Sequence, residues 1–398
     1  MTAQTAIAAG AVRRLATRIR GGRVTVVDGG RSHRIGEANG DLDVEVVVHD
    51  QRTYRAVLLG GSRGLGIAYR EGWWDTDDLP GLIRILIRSL DPLDRVRVGA
   101  HRLWAPVLDP IRRARRPDPG RDRRNVRAHY DLSNEFFALL LDETMTYSCA
   151  VFERPDMTLE QAQTAKLDRL CRLVGLQAGH DVVEIGAGWG SMALHAASRY
   201  GARVSTTTVS AAQRALAQQR IEAAGLTDRV RVLGDDYRDL TGTYDRLLSV
   251  EMIEAVDWRD HGAFFSTCGR LLCADGCMAL QAIVIADRRY DRARVTTDFV
   301  KQQIFPGGCL PSIGSIVRAS ARHADLQVVS IDDLSPHYVT TLARWRAALD
   351  ECAHRLPALG LDDRFRRLWE FYLAYCEAGF AERHVSVVQM LLAKPGWR

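Results

Sequence analysis

The sequence lacks any CxxC pair: its eight cysteines are scattered between positions 149 and 376 of 398 residues. The shortest spacing, from Cys273 to Cys277, has no second cysteine pair and no nearby histidine to complete a zinc site. Disulfide frameworks are typical of small secreted chains, whereas this chain is long enough for a large core. We therefore expect mostly buried thiols and no metal.

Long hydrophobic runs are also lacking. No window approaches the roughly 20 uncharged apolar residues of a membrane-spanning helix, and the nearest candidate is interrupted by Asp275 and Gly276. The N-terminus does not have the order of a signal peptide, because its arginines follow its mildly apolar stretch. That stretch favours a short amphipathic helix. We expect a cytoplasmic protein, peripheral at the inner face of the membrane.

The net charge is only +5, but the excess of positive charge is concentrated in one segment. Between Pro110 and Arg127 lie eight arginines and two aspartates, interrupted by three prolines and a glycine. This composition predicts a linker over residues 109–127, which is either simply solvated or attracted to anionic lipid. Nucleic acid is not an expected partner, because no zinc finger and no aromatic RNA-binding motif accompanies the arginines.

The patterns on either side of this linker indicate two domains. Residues 22–70 alternate as in RVTVVDGG and DVEVVVHD, and a helical pattern follows from Asp77 to Leu108, which predicts a small α+β domain over residues 1–108. In residues 128–398, strand-like and helical segments alternate from DVVEIG onward. This βαβα order predicts an α/β fold with a mostly parallel sheet and helices on both faces.

Two glycine clusters compete as nucleotide-binding loops. The first, GGSRGLG at 60–66, matches a dehydrogenase fingerprint, but two tryptophans and Pro80 follow where a helix of small residues is needed. It predicts a turn between strands. The second, VVEIGAGWG at 182–190, joins an apolar strand directly to a helix. The next strand ends TTTVS, without the acidic residue that binds the ribose of NAD, so the loop favours S-adenosylmethionine.

Further stretches extend this pattern, including AHYDLSNEFFALLLDETMTYSCAVFE, IFPGGCLPS, HYVTTLARWR and AGFAERHVSVVQMLLAK. With them, the chain resembles the cyclopropane-fatty-acyl-phospholipid synthase family from about residue 22 to the C-terminus. The family includes relatives that form 10-methylene fatty acids. The resemblance implies a class I methyltransferase Rossmann-like sheet and methyl transfer from S-adenosylmethionine to a cis double bond of a phospholipid acyl chain. It also associates the N-terminal domain with membrane engagement and dimerisation.

The resemblance assigns nine residues to the cofactor. They are Tyr147, Ser148, Gly186, Gly188, Thr208, Gln213, Asp235, Asp236 and Val250. The two aspartates are expected to accept a hydrogen bond from the adenine amine, although a helix-capping role remains open for them.

The resemblance also implies a base, which in the family is a bound bicarbonate ion. Its counterparts here are Cys149, Glu254, Ile283 and Tyr338, and the usual histidine is replaced by Gln281, which cannot titrate. That replacement puts bicarbonate in doubt.

A second departure lies next to the cofactor residues. Glu251 stands where a glycine is usual. It is either a solvent-facing carboxylate or, as the sharper hypothesis, a protein base that shares the role of bicarbonate with Glu254.

These departures leave the product open between a cyclopropane and a methylene branch. Because an alkene is a weak nucleophile and water would quench the carbocation, either route needs a dry, aligned pocket. The expected partners are an unsaturated phospholipid at a membrane surface, with a homodimer and, for a methylene product, a reductase left open. The alternatives are a methyltransferase acting on another small or lipidic substrate and a non-catalytic lipid-binding homologue.

Overall fold

The computed structural model describes residue 10 and residues 19–37, 39–90 and 133–398. Most of the N-terminal stretch and all of the arginine-rich segment, for which a helix and a linker were predicted, lie outside these residues. The described residues fall into two compact units. The N-terminal unit holds residues 19–90, Asp298–Gln302 and Leu349–His384, and the catalytic unit holds residues 133–297, Gln303–Ala348 and Val385–Arg398.

The two units therefore interleave along the chain, whereas the sequence suggested a single boundary. Residues 349–384 were predicted to lie in the catalytic domain. They group with the N-terminal unit because Phe371 packs on Tyr69 and Phe299, and because Glu382 forms ion pairs with Arg84 and Arg88. Contacts of this kind join segments about 300 residues apart, which local patterns do not reveal.

The N-terminal unit contains a four-stranded sheet with the order β2-β1-β3-β4. Its strands are β1 (Arg23–Asp28), β2 (Arg31–Gly36), β3 (Asp43–Val48) and β4 (Trp74–Thr76). Its first helices are α1 (Arg52–Gly60), α2 (Ser62–Arg70) and α3 (Leu79–Arg88). β1 and β3 are parallel, and the other pairs are antiparallel.

The prediction of strands over residues 52–70 was wrong, because this stretch forms α1 and α2. Gly61, with φ +58°, turns the chain between two helices rather than between two strands. A Cβ at Gly64 would lie 1.8 Å from the carbonyl oxygen of Ala56, so the glycine allows the two helices to approach. Glycines that permit close packing look, in the sequence, like glycines that make turns.

The catalytic unit is built on a seven-stranded sheet with the order β10-β11-β9-β8-β5-β6-β7. Its strands are β5 (Asp181–Ile185), β6 (Arg203–Thr207), β7 (Val230–Leu233), β8 (Tyr244–Val250), β9 (Leu272–Ile285), β10 (Gln327–Asp333) and β11 (Val385–Ala393). The strands are parallel except β11, which runs antiparallel to both of its neighbours.

Helices cover both faces of this sheet. In chain order, they and the remaining helices are α4 (Asn134–Leu140), α5 (Leu159–Leu173), α6 (Ser191–Tyr200), α7 (Ala211–Ala223), α8 (His261–Leu271), α9 (Asp287–Ala293), α10 (Phe299–Gln303), α11 (Ile313–Ala324), α12 (Ser335–Glu351) and α13 (Asp363–Ala381). Neighbouring residues of β5, Val182 and Val183, enter separate hydrophobic clusters, the first with α5, α6 and α7 and the second with α8 and α11. The predicted doubly covered α/β sheet is confirmed, and its carboxyl edge is where a ligand is expected.

None of the described helices is both long enough and apolar enough to cross a bilayer.

Candidate active site

A cavity of about 210 Å³ opens at the carboxyl ends of β5, β6, β7 and β8. The segments that leave these strands supply its walls, together with residues 145–148, which precede α5. All nine residues predicted to bind the cofactor line it: Tyr147, Ser148, Gly186, Gly188, Thr208, Gln213, Asp235, Asp236 and Val250. The strand order thus gathers side chains that are spread over about a hundred residues.

The floor of the cavity is the glycine loop between β5 and α6. Gly186, Gly188 and Gly190 have φ of +101°, +50° and +86°, a left-handed backbone that side chains disfavour. A Cβ at Gly186 would also lie 3.1 Å from the side chain of Met252. The glycines therefore keep the backbone exposed to a ligand and lead the amino end of α6 to the cavity.

Polar groups for a ligand lie beyond β6 and β7. The Thr208 hydroxyl donates to Gln213 Oε1 at 2.8 Å, which leaves the Gln213 amide nitrogen as a donor. The Asp236 carboxylate caps the turn that follows it and pairs with Arg238 at 2.8 and 2.9 Å. The capping alternative is thus realised for Asp236, although both it and Asp235 line the cavity.

A buried lysine, which the sequence reading missed, also lines the cavity. Lys166 Nζ donates to the Ser148 hydroxyl at 2.8 Å, and burial lowers its pKa to about 8. Gln163 Nε2 fixes the same loop by donating to the Ser148 carbonyl at 2.9 Å. The available signal was helical spacing, because Lys166 falls on the buried face of α5 between Ala162 and Leu170.

A second missed group is Glu184, next to the carboxyl end of β5. Thr206 donates a 2.6 Å hydrogen bond to its carboxyl, and burial raises its pKa to about 8. The available signal was a single carboxylate in the apolar run VVEI, because a buried carboxylate is usually paired with another group or belongs to a functional site.

Of the six predicted catalytic residues, Glu251 lines this cavity, and Cys149, Gln281 and Tyr338 surround its carboxylate. Glu251 Oε1 accepts from the backbone N–H of Cys149 at 2.9 Å and from Gln281 Nε2 at 2.7 Å. Its Oε2 accepts from the Tyr338 hydroxyl at 2.6 Å. The side chain is partly buried and faces the cavity. Burial raises its pKa, and the three donors, with the charge of Lys166, oppose that rise.

The backbone of Glu251 adopts an unfavourable conformation. Its φ of +49° lies in the left-handed region, which suits the glycine that the family resemblance implies at this position. A side chain here costs roughly 1–2 kcal/mol, and the three hydrogen bonds to the carboxylate offset it.

Glu254 forms an adjacent group with Ile283. Glu254 Oε1 accepts a hydrogen bond from the Ile283 backbone N–H, whereas Oε2 is buried without a partner among the described residues. Burial and the nearby charge of Glu251 raise the pKa of Glu254 to about 8, so it is mainly protonated at neutral pH. Burial also raises the pKa of the Cys149 thiol, which is consistent with a positional rather than a nucleophilic role.

The structure thus brings all six predicted residues together, but the hydrogen-bond donors among them already bind the carboxylates of Glu251 and Glu254. Cys149, Gln281 and Tyr338 donate to Glu251, and Ile283 donates to Glu254. These are the positions that the resemblance assigns to bicarbonate. A bicarbonate ion does not fit this donor set while Glu251 occupies it.

Comparisons with known proteins agree with this geometry. The family model described as "Mycolic acid cyclopropane synthetase" matches residues 118–390. Tuberculostearic acid methyltransferase UfaA1 of Mycobacterium tuberculosis is 41% identical over 86% of this chain and 81% of its own length. Cyclopropane-fatty-acyl-phospholipid synthase of Escherichia coli is 33% identical over 89% of each chain. A crystal structure of mycolic acid cyclopropane synthase CmaA1 with SAH and CTAB has a TM-score of 0.64 at 35% identity, covering 68% of this chain and 98% of that one.

The fold and the glycine-floored cavity define an S-adenosylmethionine-dependent methyltransferase of class I, and the cavity residues fit that cofactor. Within this class, the chain belongs to the family of cyclopropane-fatty-acyl-phospholipid synthases and mycolic acid cyclopropane synthases. Its chemistry is S-adenosylmethionine-dependent modification of lipid acyl chains.

Proposed function

We propose that this enzyme methylates the cis double bond of an unsaturated phospholipid acyl chain and that Glu251, rather than bicarbonate, is its base. One observation carries the proposal: a protein carboxylate stands at the cavity wall and accepts from Cys149, Gln281 and Tyr338. In this proposal, a side chain of the protein itself accepts the proton.

When bound, the cofactor supplies an electrophilic methyl group. The double bond supplies the electron pair of the new carbon–carbon bond, and the neighbouring carbon becomes a cation. The Glu251 carboxylate stabilises this positive charge from a site that is already ordered by three hydrogen bonds. Glu254, which is mainly protonated at neutral pH, adds little negative charge of its own.

The proton then leaves the former methyl carbon for Glu251. Oε1 of Glu251 accepts two hydrogen bonds and Oε2 accepts one, so Oε2 has more capacity to take the proton. The Tyr338 hydroxyl holds this oxygen in place. Loss of the proton restores a neutral product, either by closing a three-membered ring or, after a hydride shift, by forming a methylene branch.

We favour the methylene-branched product. Three donors stabilise the charged form of Glu251 and reduce its basicity, which delays proton removal and gives a hydride shift time to occur. The relationship to an enzyme named for tuberculostearic acid supports the same choice. A methylene product would pass to a reductase if the final lipid is saturated.

A phospholipid substrate places the enzyme at the inner face of the cytoplasmic membrane. The arginine-rich segment between Pro110 and Arg127 supplies charge for an anionic surface. We assign membrane engagement and dimerisation to the N-terminal domain on the basis of the family resemblance.

The test uses vesicles of oleoyl phospholipid and S-adenosylmethionine carrying a ¹³C-labelled methyl group. Glu251→Gln keeps the volume of the side chain but removes the base. We expect the wild-type enzyme to yield a labelled olefinic methylene carbon in NMR spectra of the extracted lipid. We expect the variant to lose about 10²- to 10⁴-fold in turnover, the range typical of a lost general base.

Undiminished turnover of Glu251→Gln would refute the role of Glu251. Labelled cyclopropane carbons would refute the methylene assignment while leaving methyl transfer intact. An absence of label in the phospholipid after incubation with the wild-type enzyme would refute the substrate class.

A further inference from the structure

The Gln281 side chain poses a question of orientation. Its amide nitrogen donates to Glu251 Oε1 at 2.7 Å and to the Cys149 carbonyl at 3.3 Å. Turning the amide by 180° would instead point its oxygen at the carboxylate, so that two acceptors would face each other. The two acceptors favour the observed orientation, and a donor to the Gln281 oxygen on the opposite side would hold it more firmly.

This donor is Gln389, which is directly opposite Gln281 where β9 and β11 pair. Gln389 Nε2 donates to Gln281 Oε1 at 2.9 Å. Both glutamines are fully buried, so water does not compete for these groups. The oxygen of Gln281 is therefore engaged on the side away from Glu251.

The orientation of Gln389 is set in turn by Arg169 of α5. Arg169 Nε donates to Gln389 Oε1 at 2.8 Å, and its guanidinium forms an ion pair with Asp332 at 3.0 Å. An arginine has donors only, so the oxygen of Gln389 must face it and the nitrogen must face Gln281. Because Arg169 can only donate hydrogen bonds, it fixes the orientation of the Gln389 amide and, through it, that of the Gln281 amide.

We infer that Gln389 and Arg169 are positioning residues: they orient the Gln281 amide so that it donates to Glu251 and keeps this carboxylate ionised as the base. The inference rests on the proposed role of Glu251. Neither residue touches the cavity, and both act through Gln281. If the amide of Gln281 turned, its oxygen would disfavour the charged carboxylate and raise the pKa of Glu251 further.

The test is the pH dependence of turnover for Gln389→Glu and Gln389→Met. The first variant keeps the partner for Arg169 but presents an acceptor to Gln281, and the second removes the donor without adding charge. A base must be ionised, so its protonation appears as the acid limb of the profile. The other titratable groups that face Glu251 are Lys166, Glu254, Cys149 and Tyr338, and both variants leave all four in place. We expect this limb to move to higher pH by about one unit, with a roughly ten-fold loss below it and recovery above it.

Three comparisons make the result decisive. SAH affinity measured by calorimetry should stay within about two-fold of the wild-type value, as expected when the cofactor cavity is intact. Asp332→Asn removes the ion pair of Arg169 but no donor to either glutamine, so its profile should match that of the wild type. Arg169→Met should move the acid limb in the same direction as the Gln389 variants.

An acid limb unchanged in both Gln389 variants, or an equal loss at every pH, would overturn the inference. An equal shift in Asp332→Asn would overturn it as well, since that shift would reflect general disturbance. Glu251→Gln separates the two ideas: if that variant retains turnover, the proposed function fails, and if it is inactive while the Gln389 profiles stay unshifted, only this inference fails.

Discussion

Replacing Glu251 with glycine should convert the enzyme into one that depends on added bicarbonate. The substitution removes the carboxylate but leaves its donors, the Cys149 N–H, the Gln281 amide and the Tyr338 hydroxyl. It also suits the backbone, because φ at this position is +49° and glycine adopts that conformation freely. The variant thus opens an anion-sized space without straining the chain.

The structure sets the size of the effect. Three donors lose their acceptor, and an unpaired buried donor costs about 1–3 kcal/mol. Their sum, several kcal/mol, is comparable to the roughly 4 kcal/mol that corresponds to millimolar affinity for an anion. Release of the left-handed strain returns about 1–2 kcal/mol to the folded protein. Without bicarbonate, turnover should fall by about 10²- to 10⁴-fold, as for any lost general base.

The assay measures methyl transfer to oleoyl phospholipid vesicles in buffer freed of carbon dioxide, with bicarbonate added back at constant ionic strength. Glu251→Gln is the matched control, since its amide fills the same space and excludes an anion. Bicarbonate should restore much of the activity of Glu251→Gly, none of that of Glu251→Gln, and should not affect the wild type.

Two results would refute this reasoning. Wild-type activity that disappears when carbon dioxide is removed would show that bicarbonate is needed despite Glu251. Full activity of Glu251→Gly in bicarbonate-free buffer would show that no anion is needed at this position.

Further predictions concern the neighbours of Glu251 and the packing of the N-terminal unit. Cys149→Ala should retain turnover within about ten-fold, a loss below about 1.4 kcal/mol, because the contact with Glu251 is made by the backbone N–H of Cys149. The buried thiol of the wild type should resist alkylation at pH 8. The pKa of Glu254 is raised to about 8 in the folded protein, so the unfolded chain loses the Glu254 proton at lower pH than the folded chain does. The stability of the wild type therefore falls as the pH rises from about 4.5 to 8. Glu254→Gln should reduce this fall by on the order of 2 kcal/mol in urea unfolding at pH 5 and pH 9, and an unchanged difference would contradict the raised pKa. Gly64→Ala should lower thermal stability by about 1–3 kcal/mol, since its methyl group would meet the Ala56 carbonyl at 1.8 Å, and an unaltered melting temperature would contradict the close helix contact.

Local patterns were sufficient where the structure depends on neighbours in the chain. The apolar strand Asp181–Ile185, the glycines that follow it and the helix that begins at Ser191 were all predicted, because this motif is continuous in sequence. The absence of an acidic residue after the next strand correctly favoured S-adenosylmethionine over NAD. Helices over 52–70 were missed because glycines at a helix contact resemble glycines in turns.

Buried polar residues on regular elements were harder to predict. Lys166 and Gln389 lie on a helix and a strand whose patterns already explain them as structural. Gln389 falls within the stretch AGFAERHVSVVQMLLAK, but the resemblance assigned it no role. Their roles depend on the groups they face, Ser148 in one case and Gln281 in the other. Only the packing of α5 against β11 and its neighbours makes those groups visible.

The sequence alone predicted the class of chemistry, since the glycine loop, the residue types at the cofactor positions and the glutamate at position 251 can all be read from it. The tertiary structure decided what surrounds that glutamate. Its three partners lie 102, 30 and 87 residues away, and the folding of separate strand ends against one cavity brings them within hydrogen-bonding distance. Hydrogen-bond donors act only over about 3 Å, so only the fold could show whether this carboxylate faces solvent or is held by internal donors.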